Sequence, residues 1–188
     1  MKKVLLSLAA LVLTTAVSAS KPELPPITPV AQVDLPRFMG NWYVIANIPP
    51  GIEKGAHNSV ENYRLDEDGA IPTIFTYRDD SFDGKIKTLK SKAFVESESN
   101  AVWGVQFFWP FRAEYLVAYL DADYTRVIVA RNKRDYLWLM ARTPTIPDEE
   151  YEALKQRIAA MGYDLSQLNK VPQRWPDPPR QPDPVQPF

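Results

Sequence analysis

Gly40-Asn41-Trp42-Tyr43-Val44-Ile45-Ala46 opens the first alternating run of the chain, and its reading decides the fold. Glycine lets the chain enter a strand tightly. The tryptophan two residues on falls on one face of that strand, where a large ring can plug the closed end of a small barrel. Buried strand tryptophans are common, so the assignment depends on the pattern of the residues beyond Ala46. There the chain divides into strands about 7–10 residues long separated by short turn signals, the spacing of an all-β barrel or sandwich. Eight windows read this way: 41–48, 58–65, 71–79, 86–95, 101–109, 114–121, 125–132 and 136–142. The breaks between them, such as Asp66-Glu67-Asp68-Gly69 and Asn132-Lys133-Arg134-Asp135, carry turn residues or charge clusters. The longer break from Pro49 to His57, with two prolines and two glycines, suits a mobile lid at the open end.

After the last strand the period changes. Thr145-Ile146-Pro147-Asp148 predicts a helix start, with Asp148, Glu149, Glu150 and Glu152 near the positive end of the helix dipole. Tyr151, Leu154, Ile158 and Met161 recur at helical spacing, and Gly162 fits the stop. A helix with one apolar stripe belongs on the outside of the sheet, with Leu137 and Leu139 as its contacts.

Residues 1–19 read as a secretory signal, with basic Lys2 and Lys3, an apolar run from Val4 to Val17 and the small-residue exit Val17-Ser18-Ala19. That run falls short of the roughly 20 residues a membrane-spanning helix needs. Proline-rich arms at 20–37 and 172–188 flank one domain at 38–171, and both arms are expected to be extended and poorly packed. Trp175 is the exception, an aromatic able to fold back on the domain. With 22 basic and 23 acidic residues there is no single-sign field, which disfavours nucleic acid as a partner. The cysteine count of zero removes a disulfide scaffold, a thiol nucleophile, a thiolate metal site and a lipid-modified cysteine. There is no G-x-S-x-G, phosphate loop or H-E-x-x-H, and the one histidine, His57, reads as a solvated loop residue in preference to a haem ligand or pH-sensitive lid contact. No catalytic residue, metal ligand or cofactor is therefore assigned.

Eight antiparallel strands followed by one helix, with G-x-W at the start, resemble the lipocalins over roughly residues 38 to 171. The segments that carry the resemblance are Gly40 to Ala46, Tyr63-Arg64-Leu65 before the Gly69 turn, Phe107-Phe108-Trp109-Pro110-Phe111, Tyr115 to Asp121 with Tyr124, and Asp135 to Pro144. The last block looks most like the bacterial outer-membrane lipocalin and apolipoprotein D group. The resemblance implies an eight-stranded antiparallel up-and-down barrel with one C-terminal helix packed outside. It also implies binding and transport or storage of a small hydrophobic ligand, with fatty acids and lysophospholipids as first candidates. Arg142 would lie over Trp42 at the closed end as a structural contact, contributing on the order of 1–2 kcal/mol when desolvated. Bacterial relatives are typically tethered through a cysteine after the leader. None is present here, so a soluble periplasmic or secreted form is expected, with peripheral membrane contact left open.

Alternate residues of a barrel strand face inward, so one inward residue fixes its neighbours. Trp42 inward predicts Val44 and Ala46 inward. The family pattern then places inside Ser59, Glu61, Tyr63, Thr73, Phe75, Tyr77, Leu89, Ser91, Ala93, Trp103, Val105, Phe107, Trp109, Tyr115, Val117, Tyr119, Val127, Val129, Arg131, Tyr136, Trp138 and Met140. From these the ligand-binding set is Val44, Ala46, Ser59, Glu61, Phe75, Tyr77, Ser91, Trp103, Val105, Phe107, Tyr115, Val117, Val129, Arg131, Tyr136, Trp138 and Met140. Both Glu61 and Arg131 are expected toward the open end, Arg131 with Tyr115 and Tyr136 meeting an anionic headgroup and Glu61 balancing it. Two other classes stay open: a lipid-modifying enzyme with Glu61 as base, and an interaction module with a filled barrel and proline-rich arms. Oligomeric state is open as well.

Overall fold

The computed structural model describes residues 24–176. The signal reading at 1–19 and the tail beyond Pro176 lie outside the described residues. Within them, β1 (Gly40–Ile48), β2 (His57–Tyr63), β3 (Ile71–Arg78), β4 (Ile86–Val95), β5 (Val102–Phe108), β6 (Phe111–Leu120), β7 (Arg126–Ala130) and β8 (Leu137–Ala141) pair antiparallel in chain order. Strand β1 closes the ring by pairing with both β8 and β2. Each strand overlaps its sequence window, because alternation and turn chemistry point to the same boundaries. Gly40 enters β1 at φ +95°, a conformation that favours glycine, and a side chain there would also crowd the Arg142 guanidinium.

The helix α2 (Asp148–Ala160) lies outside the barrel. Its buried face, Tyr151, Leu154 and Ile158, forms one apolar cluster with Ile45, Ala46, Ile128, Leu137 and Leu139. Arg126 of β7 reaches Glu150 in the first turn at 2.9 Å, which ties the helix start to the sheet.

Register shifts interrupt the strict alternation used to sort inward from outward, and two of them turn outward a residue placed inside. Between Val44 and Ala46 the β1–β8 register shifts, so Ala46 turns outward under α2 and Asn47 takes the inner face. A second shift between Val117 and Tyr119 sends Tyr119 outward, where Arg157 of α2 lies 4.7 Å over its ring. Trp109, expected inward, is instead 84% exposed in the turn between β5 and β6, where the strand has ended.

Both proline-rich arms are packed where they are described, contrary to expectation. Residues 24–39 run from the turn after β7, where the Ile27 N–H donates to Asn132 and Arg134 donates to the Pro25 carbonyl, to the closed end, with backbone bonds from Val30 to Val117 and from Val33 to Ser99. A short helix α1 (Leu35–Phe38), capped by the Asp34 side chain, then drives Phe38 fully into the core. At the other end β9 (Asn169–Lys170) pairs with β1, and the chain beyond it lies between β1 and β2. Gln173 donates to the carbonyls of Val44 at 2.8 Å and Ser59 at 3.2 Å, which bridges two strands that pair directly only near the barrel floor. Trp175 then packs edge-on against Tyr43 with ring centroids 5.2 Å apart.

Candidate functional site

The floor of the barrel is aromatic. Trp42 is fully buried and donates its indole N–H to the Phe38 carbonyl at 2.8 Å. Arg142 lies 3.8 Å from the Trp42 ring centroid and donates to the carbonyls of Arg37, Phe38, Asn41 and Tyr124. A planar guanidinium suits both tasks, since its face stacks on the indole while its edge satisfies chain ends. Phe38 meets Trp42, Tyr63 and Trp103, and Trp103 stacks on Tyr115 at 4.8 Å.

Above this layer a cavity of about 360 Å³ extends toward the loop end. That volume is near the low end of the roughly 300–1,000 Å³ found for small-molecule pockets. Of the residues assigned to ligand binding, Glu61, Phe75, Ser91, Val105, Phe107, Tyr115, Arg131, Tyr136 and Trp138 line it. Val44, Trp103, Val117, Val129 and Met140 face inward but are fully buried off the cavity wall, where a narrow eight-stranded barrel is packed solid. Ser59 is also fully buried off the wall, its hydroxyl without a hydrogen-bond partner among the described residues. Tyr77 stacks on Phe75 at 5.2 Å instead of reaching the cavity, and Ala46 is carried outside by its bulge. The barrel is thus filled near its floor and hollow above.

The two charged residues do not take up the arrangement expected of them. Glu61 stands opposite Trp42 in the β1–β2 register, near the floor, and accepts a hydrogen bond from the Tyr63 hydroxyl. Tyr115 turns to Tyr63, with 2.9 Å between their hydroxyls, and not to Arg131. Arg131 begins the turn after β7 and pairs with Asp135 at 3.1 Å. Its backbone N–H donates to Tyr163, whose hydroxyl donates onward to the Tyr136 carbonyl at 2.9 Å. Strand direction explains the separation: β2 runs down toward the floor before Glu61 is reached, whereas β7 ends at the open end.

A further carboxyl comes from the loop between β1 and β2. Glu53 turns inward, where its carboxyl accepts from the Trp138 indole at 3.0 Å and the Asn47 amide at 3.5 Å. Burial raises its pKa to about 8, with the nearby Glu61 charge adding to the shift. Burial likewise raises Glu61 to about 7 and holds the Tyr63 and Tyr115 phenols well above their ordinary value. His57 packs its ring against Phe82 and approaches the Gly55 carbonyl at 2.8 Å, off the cavity wall.

A family model described as "Lipocalin-like domain" matches residues 33–173. The chain belongs to the lipocalin family. It is similar to the "Outer membrane lipoprotein Blc" of Citrobacter freundii, 34% identical over 84% of this chain and 89% of that protein. It is 29% identical to apolipoprotein D of Mus musculus over 79% of this chain and 82% of that one. Insecticyanin of the tobacco hornworm Manduca sexta shares the fold with a TM-score of 0.61 at 13% identity, over 82% of this chain and 88% of that structure. Lipocalins bind small hydrophobic ligands, and members of the family are generally binding or transport proteins.

This lipocalin also lines its cavity with residues that alternation did not assign. Pro50 and Glu53 come from a loop, which has no period to read. Phe108 joins Phe107 because the β5–β6 register shifts between Val105 and Phe108. Ala113 lines it because β6 begins at Phe111, earlier than its window, and Glu114, inside that window on the outward parity, borders it at the open end. Glu114 is held by Asn132, whose backbone and side-chain N–H groups both donate to it at 2.7 Å.

Proposed function

We propose that this lipocalin reversibly binds a single-chain amphiphile for transport or storage, with fatty acids and lysophospholipids as the classes to test first. The observation that supports it is the cavity of about 360 Å³, walled largely by aliphatic and aromatic side chains and reached from the loop end. Burial of an alkyl chain there would supply roughly 25 cal/mol per Å² before ordering losses. Native mass spectrometry of the purified protein, with organic extraction and titration by a fluorescent fatty acid, tests this directly. A displaceable lipid of defined stoichiometry is the expected result. Absence of any co-purified lipid together with no saturable quenching of Trp138 fluorescence would defeat it.

The absence of a cysteine for lipid attachment supports a soluble periplasmic or secreted form, in contrast to relatives named as outer membrane lipoproteins. We further infer peripheral contact with a membrane through the turn between β5 and β6. Phe108, Trp109 and Phe111 are 68%, 84% and 68% exposed beside the cavity mouth, a concentration of aromatic surface unusual for water. Replacing Trp109 and Phe111 by serine, with the cavity-lining Phe108 kept, should weaken sedimentation with phosphatidylcholine vesicles at least tenfold and leave ligand affinity within about twofold.

A second reading has one observation in its favour. The raised pKa of Glu61, about 7, is what a general base in the cavity would need. Turnover of a lipid lost in Glu61→Gln would establish an enzyme, and equal recovery of intact lipid from both proteins would exclude it.

A further inference from the structure

Simple carriage of an aliphatic chain leaves the polar floor of the cavity without a use. Glu61, Tyr63 and Tyr115 all line the cavity and form one hydrogen-bonded chain. The direction of that chain is set by its members. Tyr63 donates its proton to Glu61, so the bond between the two phenols must be donated by Tyr115. Both phenol protons are then consumed within the cluster. What remains toward the cavity is acceptor capacity: the unused lone pairs of the Glu61 carboxylate and of the Tyr115 hydroxyl. A methyl end pressed onto these groups would take them out of water with nothing in return.

The charges around the cavity point the same way. Its wall carries the carboxyls of Glu53 and Glu61, the Glu114 carboxyl is held by Asn132 at the loop end, and among the described residues its one basic side chain, Arg131, is paired with Asp135 at the end opposite the floor. Burial that raises Glu61 to about 7 still leaves it mostly ionised in mildly alkaline solution. A carboxylate brought to this floor would meet acceptors and like charge.

We propose that Glu61, Tyr63 and Tyr115 form a subsite for the hydrogen-bond-donating inner end of an amphiphile, a hydroxyl or a protonated amine, and that this floor rejects a carboxylate. The subsite rests on the proposed carriage of a single-chain amphiphile and narrows which amphiphile is preferred. Loop-end groups are then free to meet a second polar group or water.

The test is displacement of N-phenyl-1-naphthylamine at about pH 8.5 by dodecylamine, dodecanol, dodecanoate and methyl dodecanoate, with dodecylamine still protonated. The amine and the alcohol should each bind at least about tenfold more tightly than the methyl ester and the carboxylate. An amine stronger than the alcohol identifies charge recognition, and equal affinities identify hydrogen bonding alone. In Glu61→Gln the preference should shrink about tenfold while affinity for the methyl ester stays within about twofold, which also reports a folded cavity. Tyr115→Phe should reduce the same ratio and serves if Glu61→Gln does not fold. Equal or tighter binding of the ester or carboxylate, or a preference unchanged in these variants, overturns the subsite and leaves carriage standing. Failure of all four compounds to displace the probe overturns carriage and the subsite together.

Discussion

The indole N–H of Trp138 donates to the Glu53 carboxyl at 3.0 Å, tying the loop between β1 and β2 to β8, the strand paired with β1, where Trp138 stands opposite Asn47. A loop read as a mobile cover is therefore pinned through a buried side chain, only 7% exposed, that titrates in the physiological range.

Stability should fall as pH rises, through Glu53 and Glu61. Their ordinary value is 4.5, and in the folded protein they reach about 8 and about 7. In between, the folded chain keeps protons that the unfolded chain releases. The contribution is full below about pH 4.5 and lost as pH climbs through the folded values, at up to about 1.4 kcal/mol per unit for each group. Thermal unfolding should give a higher Tm at pH 5 than at pH 8, with the slope reduced in Glu53→Gln. A Tm that rises over this range would show that the two acids are not buried as described.

Arg142→Ala should destabilise the fold by about 2–4 kcal/mol, since it removes the contact with Trp42 and leaves several carbonyls at the closed end without their charged donor. Arg142→Lys should recover little of this, because an ammonium cannot stack and fork at once. Urea unfolding measures both.

Phe38→Ala should cost about 3–5 kcal/mol, the range for truncating a fully buried aromatic. A cost below about 1 kcal/mol in chemical denaturation would mean that the segment before β1 is not part of the cooperative fold.

Gln173→Ala should cost about 1–2 kcal/mol and speed hydrogen exchange in β9 and the adjoining half of β1, because two strand carbonyls lose their shared donor. Unchanged exchange at Ile45 to Asn47 would assign the bridge no role in holding the strands.

The strands were legible because several local signals agree at each of them, alternation, turn residues and length, and the resemblance to the lipocalins implied that they close into a barrel. The external helix was legible from Tyr151, Leu154 and Ile158 at helical spacing, and all three are buried against the sheet. The cavity was legible only in part. Alternation placed Phe75, Ser91, Val105 and Trp138 on the wall, yet it could not tell a lining residue from one such as Val129 that fills the barrel below. Depth along a strand depends on the tilt and stagger of all eight strands, which no single segment encodes.

The bulges near Ile45 and Ala118 were not legible for a similar reason. Nothing in Val44-Ile45-Ala46 marks an extra residue, and the shift arises from matching β1 to β8 while placing apolar side chains under α2. The proline-rich ends misled because composition describes an isolated chain. Val33, Phe38 and Gln173 are held by partners distant in sequence.

By itself the sequence determined the class of fold and the order of its elements, because periodicity and turn spacing are local properties, and its resemblance to the lipocalins implied the Trp42–Arg142 contact at the closed end. Only the tertiary structure decided that Glu61 joins Tyr63 and Tyr115 at the floor, that Glu53 turns inward from its loop, and that Arg131 is paired at the rim. Closing a staggered barrel sets how deep each inward side chain lies, and that depth determines its solvation, its partners and its charge.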